Sequence, residues 1–396
     1  MFNLLDMFNG IKLRDFYRAK TKKIILSANA RISLSLVGSS LITSMAFADL
    51  TPMEDIELAS VSGQAFITID NYSVQQQTSG YSGFSETLDT EFMKINIGAD
   101  IETHLSIDHL LLGNYDRYEN GEACPASGCD PSRMQEVSSA DIDIRDFALG
   151  HYTRNSDGSV ESHPFRFINP FFEVAFENSS DGVREVIGAR IGFEQSGGIL
   201  SGDIRTFTGN IDVKIDGIQP IVELFGVCII CVPIETQAQL QYGEGGDPNG
   251  NNVGSYDPIR AQYIGVLSEE SVEVLGAFDL STSGCNLIVI DTCHLLTKFQ
   301  SVEIGKASPD GLVSNFFLST QTKDIAWAID PQGNLVPSYG VNHQGKLITN
   351  SSNFQQTFMG SFLNIPAGGV ELTPREAANG LPRQPTRYTD AALGLF

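Results

Sequence analysis

Apolar and polar residues alternate along residues 93–107, and this pattern constrains the fold more than any other feature of the chain. Nearly all odd positions are apolar, and the even positions from Lys94 to Ser106 are polar or glycine. A period of two is typical of a β-strand with one buried face. The stretch therefore predicts either one very long strand or two strands bent at Gly98.

The same alternation recurs in six other segments, whereas few stretches show a helical period. The 38 glycines supply turn signals between these segments. We therefore predict an all-β fold, with a large antiparallel β-sheet in a sandwich or roll-like domain. The six segments are ADIDIRDFALGHY (140–152), PFFEVAFE (170–177), REVIGARIGFE (184–194), NIDVKIDG (210–217), AQYIGVLS (261–268) and GLVSNFFLST (311–320).

Residues 1–48 are predicted to be a secretory signal peptide. Seven basic residues precede an apolar stretch at 32–45, and the small residues Ala46 and Ala48 then frame a cleavage site. The apolar stretch is shorter than the ~20 residues that span a bilayer, although a retained membrane anchor is the alternative. Cleavage after Ala48 would leave residues 49–396 as a single large exported domain, with surface loops at about 113–138 and 242–258.

The chain is strongly acidic, with a formal net charge of −23. Such a charge is repelled by nucleic acid and by anionic lipid head groups. Asp247, Asn249 and Asn251 resemble the start of a calcium-binding loop and are weak calcium candidates. The sixth position is Asn252 instead of glycine, and the twelfth is Pro258 instead of glutamate. We therefore expect a flexible loop there, and we predict no cofactor.

Six cysteines lie in the exported part, and an even number in an oxidising compartment predicts disulfides. Cys124 and Cys129 flank a short polar loop and are expected to pair with each other. The other four lie in two apolar segments and allow three pairings. If the first segment is a strand, its two cysteines face opposite sides and need either a turn between them or partners in the second segment. These four are Cys228, Cys231, Cys285 and Cys293.

The usual catalytic motifs are absent from the sequence, including the nucleophile elbow, the zinc-protease helix and the phosphate-binding and dinucleotide-binding loops. His104 and His109 differ in parity and point to opposite faces of their strand, so they cannot share a metal. His109 falls on the apolar side and is predicted to be a core residue. His151 and His163 lie near acids and serines without a distinguishing arrangement. We predict that the protein is not an enzyme.

The expected mature N-terminus begins with a short capped helix. Thr51 can cap it, Pro52 suits its first position, and Glu54 completes a capping box. Gly63 can end the helix, and residues 65–74, AFITIDNYSV, then begin the first strand.

The same device recurs near the other end of the chain. Thr373 is followed by Pro374 and Glu376, and Gly380 provides the stop. The prolines of the tail at 381–396 predict irregular structure after this helix. Three arginines near this end could contact an acidic partner or the protein's own acidic surface: Arg375, Arg383 and Arg387.

Three segments carry a family resemblance: MEDIELASVSGQAFITID (53–70), REVIGARIGFEQSGGILSGDIRTFTGNIDVKI (184–215) and LTPREAANGLPRQPTRYTDAALGLF (372–396). They resemble the FilA-like pilus-system proteins of Gram-negative bacteria, and the likeness covers most of residues 49–396. It implies an exported protein grouped with the usher, chaperone and adhesin components of a fimbrial system. The family supplies no catalytic or binding residues.

These observations predict a non-enzymatic, disulfide-bearing component of a pilus or fimbrial system in the periplasm, in the outer membrane or on the cell surface. It would act in pilus assembly or surface adhesion, with other pilus-system proteins as partners. The expected mechanism is β-mediated association, in which an exposed strand pairs with the edge of another protein's sheet. Residues 65–74 are the candidate strand; the alternative is that they form only the first strand of the chain's own sheet.

Two other functions are compatible with the sequence. An outer-membrane β-barrel would explain the alternating segments and the terminal Phe396, although Trp327 is the only tryptophan and the cysteine content is high for that class. A secreted enzyme acting on surface polymers would need a cleft of carboxylates or histidines with shifted pKa values.

Overall fold

The structure is a computed structural model. All the residues that it describes belong to one compact unit, which begins at Gly63. These residues are 67–79, 85–116, 140–178, 183–224, 227–241, 256–266, 271–274, 278–281, 285–287, 290–330, 333, 335–341, 347–349 and 352–395.

The chain is predominantly β-structure, as predicted, and its helices are short. The helices are α1 (Pro374–Asn379) and α2 (Tyr388–Leu393), together with a 3-10 turn at Leu296–Lys298. The strands are β1 (Ile67–Ser79), β2 (Ser85–Ile97), β3 (Asp100–Thr103), β4 (Leu105–Asn114), β5 (Ala140–Leu149), β6 (His151–Arg154), β7 (Val160–His163), β8 (Phe165–Asn178), β9 (Arg184–Phe207), β10 (Gly209–Leu224), β11 (Val227–Gln241), β12 (Tyr263–Gly265), β13 (Ser271–Val274), β14 (Phe278–Ser281), β15 (Asn286–Leu287), β16 (Ile290–Asp291), β17 (Cys293–Leu295), β18 (Ser301–Ile304), β19 (Val313–Gln321), β20 (Ile325–Ala328), β21 (Tyr339–Val341), β22 (Leu347–Thr349), β23 (Phe354–Thr357) and β24 (Gly360–Leu372).

The long alternating stretch is interrupted where the sequence predicts it. β2 ends just before Gly98 and β3 begins two residues later, and a second break at His104 separates β3 from β4. Each of the six other alternating segments also contributes a strand.

Sixteen strands form one sheet, whose main path runs β1-β2-β8-β9-β19-β24-β10-β11-β12-β17. The pairing is antiparallel apart from β10 and β24, which run parallel, so the sheet is mixed. The first half of the 24-residue β9 pairs with β8 and β19, and its second half pairs with β5 and β18. The two halves of β9 meet at Gly197 and Gly198, where the strand leaves β8 and β19 and joins β5 and β18. A Cβ on Gly197 would lie 2.0 Å from the carbonyl oxygen of Gly311, so only glycine fits there.

Two hydrophobic cores lie on opposite faces of the main sheet. The first fills the space between the main sheet and the layer of β4, β5, β18 and the second half of β9. The second lies under the β20–β23 pair and contains Trp327 and Phe92. Consecutive residues of β19 face different cores, with Phe316 in the first and Phe317 in the second. Strands at the centre of the molecule are therefore buried on both faces.

The capped helix predicted near the C-terminus is present as α1. Thr373 Oγ1 accepts a hydrogen bond from the backbone N–H of Glu376 at 3.2 Å, and the Thr373 N–H donates to Glu376 Oε2 at 2.7 Å. Pro374 occupies the first turn, and Gly380 ends the helix with a φ of 79°. The corresponding N-terminal helix lies outside the described residues. No helix in the described ranges is long and apolar enough to span a membrane.

The prediction that the tail is irregular is partly wrong. Pro382 and Pro385 do lie in irregular chain, but α2 forms directly after them, because no proline follows to interrupt a helix. The tail lies along the body of the protein: the backbone N–H of Gln384 donates to Ser301 Oγ, and the N–H of Tyr152 donates to the Pro385 carbonyl, both at 2.8 Å.

Two of the tail arginines contact this protein's own surface. Arg383 Nη2 donates to the Asp146 carbonyl at 2.7 Å, and Arg387 Nη2 lies 4.0 Å from Asp108 Oδ1. Of the two readings that the sequence left open, these contacts favour attachment to the chain's own body.

Most of the two predicted surface loops lies outside the described residues. β4 continues to Asn114, and residues 117–139 lie outside the described part of the chain. At the end of the second loop Asp257 is buried, and its N–H donates to the Leu240 carbonyl. The buried Arg260 next to it pairs with Asp141 at 3.2 Å.

Candidate functional site

β1 forms one edge of the main sheet. In the described part of the chain it pairs along its length with β2, and no strand pairs with its other side. Its second half is tied to the body, because the Gln77 N–H donates to the Tyr339 hydroxyl at 3.0 Å and Gln76 Oε1 accepts from the Ala326 N–H at 2.7 Å. The accessible edge is therefore the first half of β1, which overlaps the strand singled out at 65–74.

One face of the sheet at this edge is apolar and exposed. Ile67 and Ile69 on β1 are 55% and 59% exposed, and Phe172 and Ile191 on the next strands remain exposed as well. Directly opposite residues share a face of a sheet, and the register here aligns six apolar residues on six neighbouring strands. The row is Ile69, Ile95, Phe172, Ile191, Leu318 and Leu363.

This row begins in the first core and ends at the sheet edge. Leu363 is buried in that core and Leu318 packs against it, whereas Ile191 is 47% exposed. We call the part formed by Ile67, Ile69, Ile95, Ile97, Phe172 and Ile191 the open apolar face. Contiguous exposed apolar side chains of this kind are typical of interaction surfaces.

The opposite face of the same strands carries a row of alternating charge. Asp70 on β1 lies opposite Lys94 on β2, Lys94 lies opposite Glu173 on β8, and Glu173 lies opposite Arg190 on β9. We call these four residues the charge ladder. Opposite charges on directly facing strand positions stabilise a sheet, so the ladder favours this strand order and this register.

The inner half of the ladder is a buried ion pair. Glu173 and Arg190 are almost completely buried, and Arg190 Nη2 lies 2.5 Å from Glu173 Oε2. The Tyr72 hydroxyl donates to the other carboxylate oxygen. Arg190 Nη2 also donates to the Ala328 carbonyl at 2.7 Å, and its guanidinium lies 4.9 Å from the ring centre of Trp327. These contacts join β20 to the sheet beneath the accessible edge.

Burial also shifts the pKa values of Lys94, which belongs to the ladder, and of Tyr72, which lies beside it. Desolvation lowers the pKa of Lys94, and the positive charge of Arg190 lowers it further. The Lys94 ammonium lies 4.1 Å from the ring centre of Phe171, where a cation is attracted by the π-electrons. Desolvation raises the pKa of Tyr72 well above its usual range, and the nearby Glu173 charge adds to that rise. Tyr72 therefore stays a neutral donor.

A second polar cluster contains three of the six histidines. His151 and His163 lie opposite each other on β6 and β7 with ring centres 4.6 Å apart, and the ring of His104 stacks on Tyr152 at 4.5 Å. His104 Nε2 and Ser162 Oγ share a hydrogen bond of 2.8 Å. The sequence did not single out this arrangement, because it arises from hairpin pairing and from the break between β3 and β4.

The histidine cluster does not form a metal site. In the described ranges no group of three or more His, Cys, Asp or Glu side chains is arranged to hold a metal ion. Burial, together with the neighbouring His163 and His104, lowers the pKa of His151 from its ordinary 6.5 to about 4. His151 is therefore neutral in the folded protein at neutral pH.

We expect this histidine to make folding sensitive to acid. Its pKa is lower in the folded state than in the unfolded state, so the unfolded chain binds the extra proton as the pH falls below 6.5. The penalty should reach about 1 kcal/mol at pH 4.5, since the ring is only partly buried and solvent screens part of the shift. Urea unfolding of the wild type and of His151→Phe at pH 7.5 and pH 4.5 checks this. The variant should lose less stability between the two pH values, and equal losses would contradict the assignment.

His109 is a correction to the sequence prediction. It is exposed instead of buried, and its Nε2 lies 2.9 Å from Asp143 Oδ1. β4 lies at one side of the layer that it forms with β5, β18 and the second half of β9. A side chain at an apolar position of the alternating pattern is therefore not always buried there. His104 and His109 have separate partners, consistent with their opposite parity.

A polar surface depression of about 500 Å³ lies between β5, β9 and the tail. Both of its cations are already engaged: Arg205 pairs with Asp203 at 2.6 Å, and Arg383 donates to the Asp146 carbonyl.

A disulfide joins Cys285 and Cys293, whose Cα atoms are 5.1 Å apart, and it selects among the pairings that the sequence left open. The bond rules out any pairing of these two with the first apolar segment. Cys228 and Cys231 lie in β11, where the register with β10 shifts between Glu223 and Pro220.

Several predicted site residues lie outside the described part of the chain. They are the cleavage residue Ala48, the cysteines Cys124 and Cys129, and the calcium candidates Asp247, Asn249 and Asn251.

The chain was compared with protein-family models, with curated proteins and with solved structures. None of the three comparisons finds a match.

Proposed function

We propose that this protein is an exported, non-enzymatic component of a pilus or fimbrial system, acting in pilus assembly or surface adhesion through β-mediated association. The observation that carries the proposal is the first half of β1. Among the described residues no strand pairs with its outer side, and it lies beside the open apolar face. The resemblance of the terminal segments to FilA-like pilus-system proteins supports the pilus context.

The chemistry of this edge suits strand addition. An added strand would satisfy backbone donors and acceptors along β1, and its alternate side chains would cover Ile67 and Ile69. The buried ion pair and the β20 cover beneath β1 hold the edge in place before a partner arrives, which lowers the entropic cost of binding.

Piliation of the bacterium that encodes the protein tests the proposal. Deletion of the gene should reduce pili counted by electron microscopy and should reduce surface attachment. Wild type should restore both, whereas Ile69→Lys should not, because a charge in the open apolar face must be desolvated when the partner strand docks.

Ile218→Lys is the matched control. Ile218 is 63% exposed, close to the value for Ile69, but it lies on β10 towards the other end of the sheet. This variant should restore piliation fully. Normal piliation and attachment in the deletion strain would overturn the proposed function.

A further inference from the structure

The charge ladder ends at the accessible edge on an acidic residue. From the interior outwards its charges are Arg190 positive, Glu173 negative, Lys94 positive and Asp70 negative. Lys94 and Glu173 each have an oppositely charged side chain on both neighbouring strands. Arg190, at the inner end of the ladder, has one on β8. Asp70 has such a neighbour on one side only, because β1 is the last strand of the path.

Asp70 is not neutralised by an ion pair. Its Oδ2 accepts a hydrogen bond of 2.7 Å from Asn96 Nδ2, and the Lys94 ammonium lies over the Phe171 ring instead. Across the described ranges, no lysine or arginine nitrogen lies within 4.0 Å of the Asp70 carboxylate. Within the described ranges the Asp70 carboxylate therefore has no close cationic partner at the position that a new strand would face.

From this ladder we infer that the partner strand at the β1 edge carries a lysine or arginine opposite Asp70, with apolar residues opposite Ile67 and Ile69. This inference rests on the proposed function and adds the chemistry of the partner. In a strand that adds antiparallel to β1, the required order is a cation, an apolar residue, any residue and a second apolar residue. The cation continues the alternating ladder, and the two apolar residues extend the open apolar face, because successive side chains of a strand point to opposite faces.

Charge complementarity also excludes a second copy of β1 as the occupant. The strand ITIDNYSVQQQTS contains no lysine or arginine, so no register of two copies places a cation opposite Asp70. The whole chain carries a net charge of −23, which further disfavours self-association. An inward-pointing charge on an edge strand also discourages the addition of purely apolar strands, so Asp70 would select among partners.

Three labelled nine-residue peptides that differ at one position test the inference. The first is Ser-Ser-Thr-Lys-Ile-Thr-Val-Thr-Ser, and the other two carry Gln or Glu in place of Lys. Binding to the full-length mature protein is measured by fluorescence anisotropy at low salt. The Lys peptide should bind tightest and the Glu peptide weakest. Asp70→Asn should weaken the Lys peptide about three- to fivefold, and Asp70→Lys should reverse the order of the Lys and Glu peptides.

Asp89→Asn is the matched control, because it removes the same charge from β2 opposite Gln75, in the half of β1 that is tied to the body. It should leave all three affinities within a factor of two. Equal binding of the three peptides, with no effect of Asp70→Asn, would overturn the inference but leave association at the edge intact. Absence of binding by any peptide would overturn the inference, while the piliation assay would still decide the proposed function separately.

Discussion

Replacement of Arg190 by alanine is expected to lower the free energy of unfolding by about 3–5 kcal/mol. The substitution leaves the Glu173 carboxylate buried, with the Tyr72 hydroxyl as its one remaining close donor among the residues that the structure describes. It also removes the hydrogen bond to the Ala328 carbonyl and opens space under Trp327. Urea unfolding followed by Trp327 fluorescence and by circular dichroism measures the change, since Trp327 is the only tryptophan.

Arg166→Ala is the control for this prediction. Arg166 pairs with Asp100 at 2.5 Å, but both side chains are exposed. Exposed ion pairs contribute little, so this variant should lose far less stability than Arg190→Ala. A loss below about 1 kcal/mol for Arg190→Ala would mean that water reaches the Glu173 carboxylate, and the rigidity argued for the β1 edge would then fail.

Trp327→Ala is expected to cost about 3–5 kcal/mol as well, for a different reason. Trp327 is fully buried at the centre of the second core, where its ring meets Phe92 edge-on at 5.4 Å. Its removal leaves a cavity between β20 and the main sheet and strips one aromatic ring from the Arg190 guanidinium. Far-UV circular dichroism must report unfolding here, because the variant has no tryptophan.

Trp327→Phe separates packing from the polar group of the ring. In the described part of the chain, Trp327 Nε1 has no hydrogen-bond partner, so its loss removes no hydrogen bond. The variant should therefore retain most of the stability, with a loss of about 1 kcal/mol from the smaller ring. Equal losses for the alanine and phenylalanine variants would contradict this assignment, because they would require the indole N–H to make a stabilising hydrogen bond.

These two predictions bear on function through β1. Gln76 accepts a hydrogen bond from Ala326, next to Trp327, and Tyr72 donates to Glu173. Loosening β20 or the ion pair should therefore loosen the edge strand too. Variants at Arg190 or Trp327 that still fold should bind the lysine peptide more weakly, because a mobile edge must be ordered on binding.

The local elements were predictable because their signals are local. The alternation of apolar and polar residues at 93–107 predicts strands there. The strands are interrupted at Gly98 because glycine has no side chain to continue the alternation. The capping box at Thr373 and Glu376 is confirmed since both hydrogen bonds join residues three positions apart. The sequence therefore determined the β class, several strand positions and the C-terminal helix.

Only the tertiary structure decided which faces are covered and which distant residues meet. Asp70 and Glu173 belong to one ladder because four strands align in a particular register, and nothing near either residue specifies that alignment. His109 shows the same limit: parity assigns a side chain to a face, but burial depends on whether another layer lies over that face. The open apolar face exists because the layer of β4, β5, β18 and the second half of β9 ends before it reaches β1 and β2. Which faces are covered therefore depends on how the layers assemble and not on any single segment.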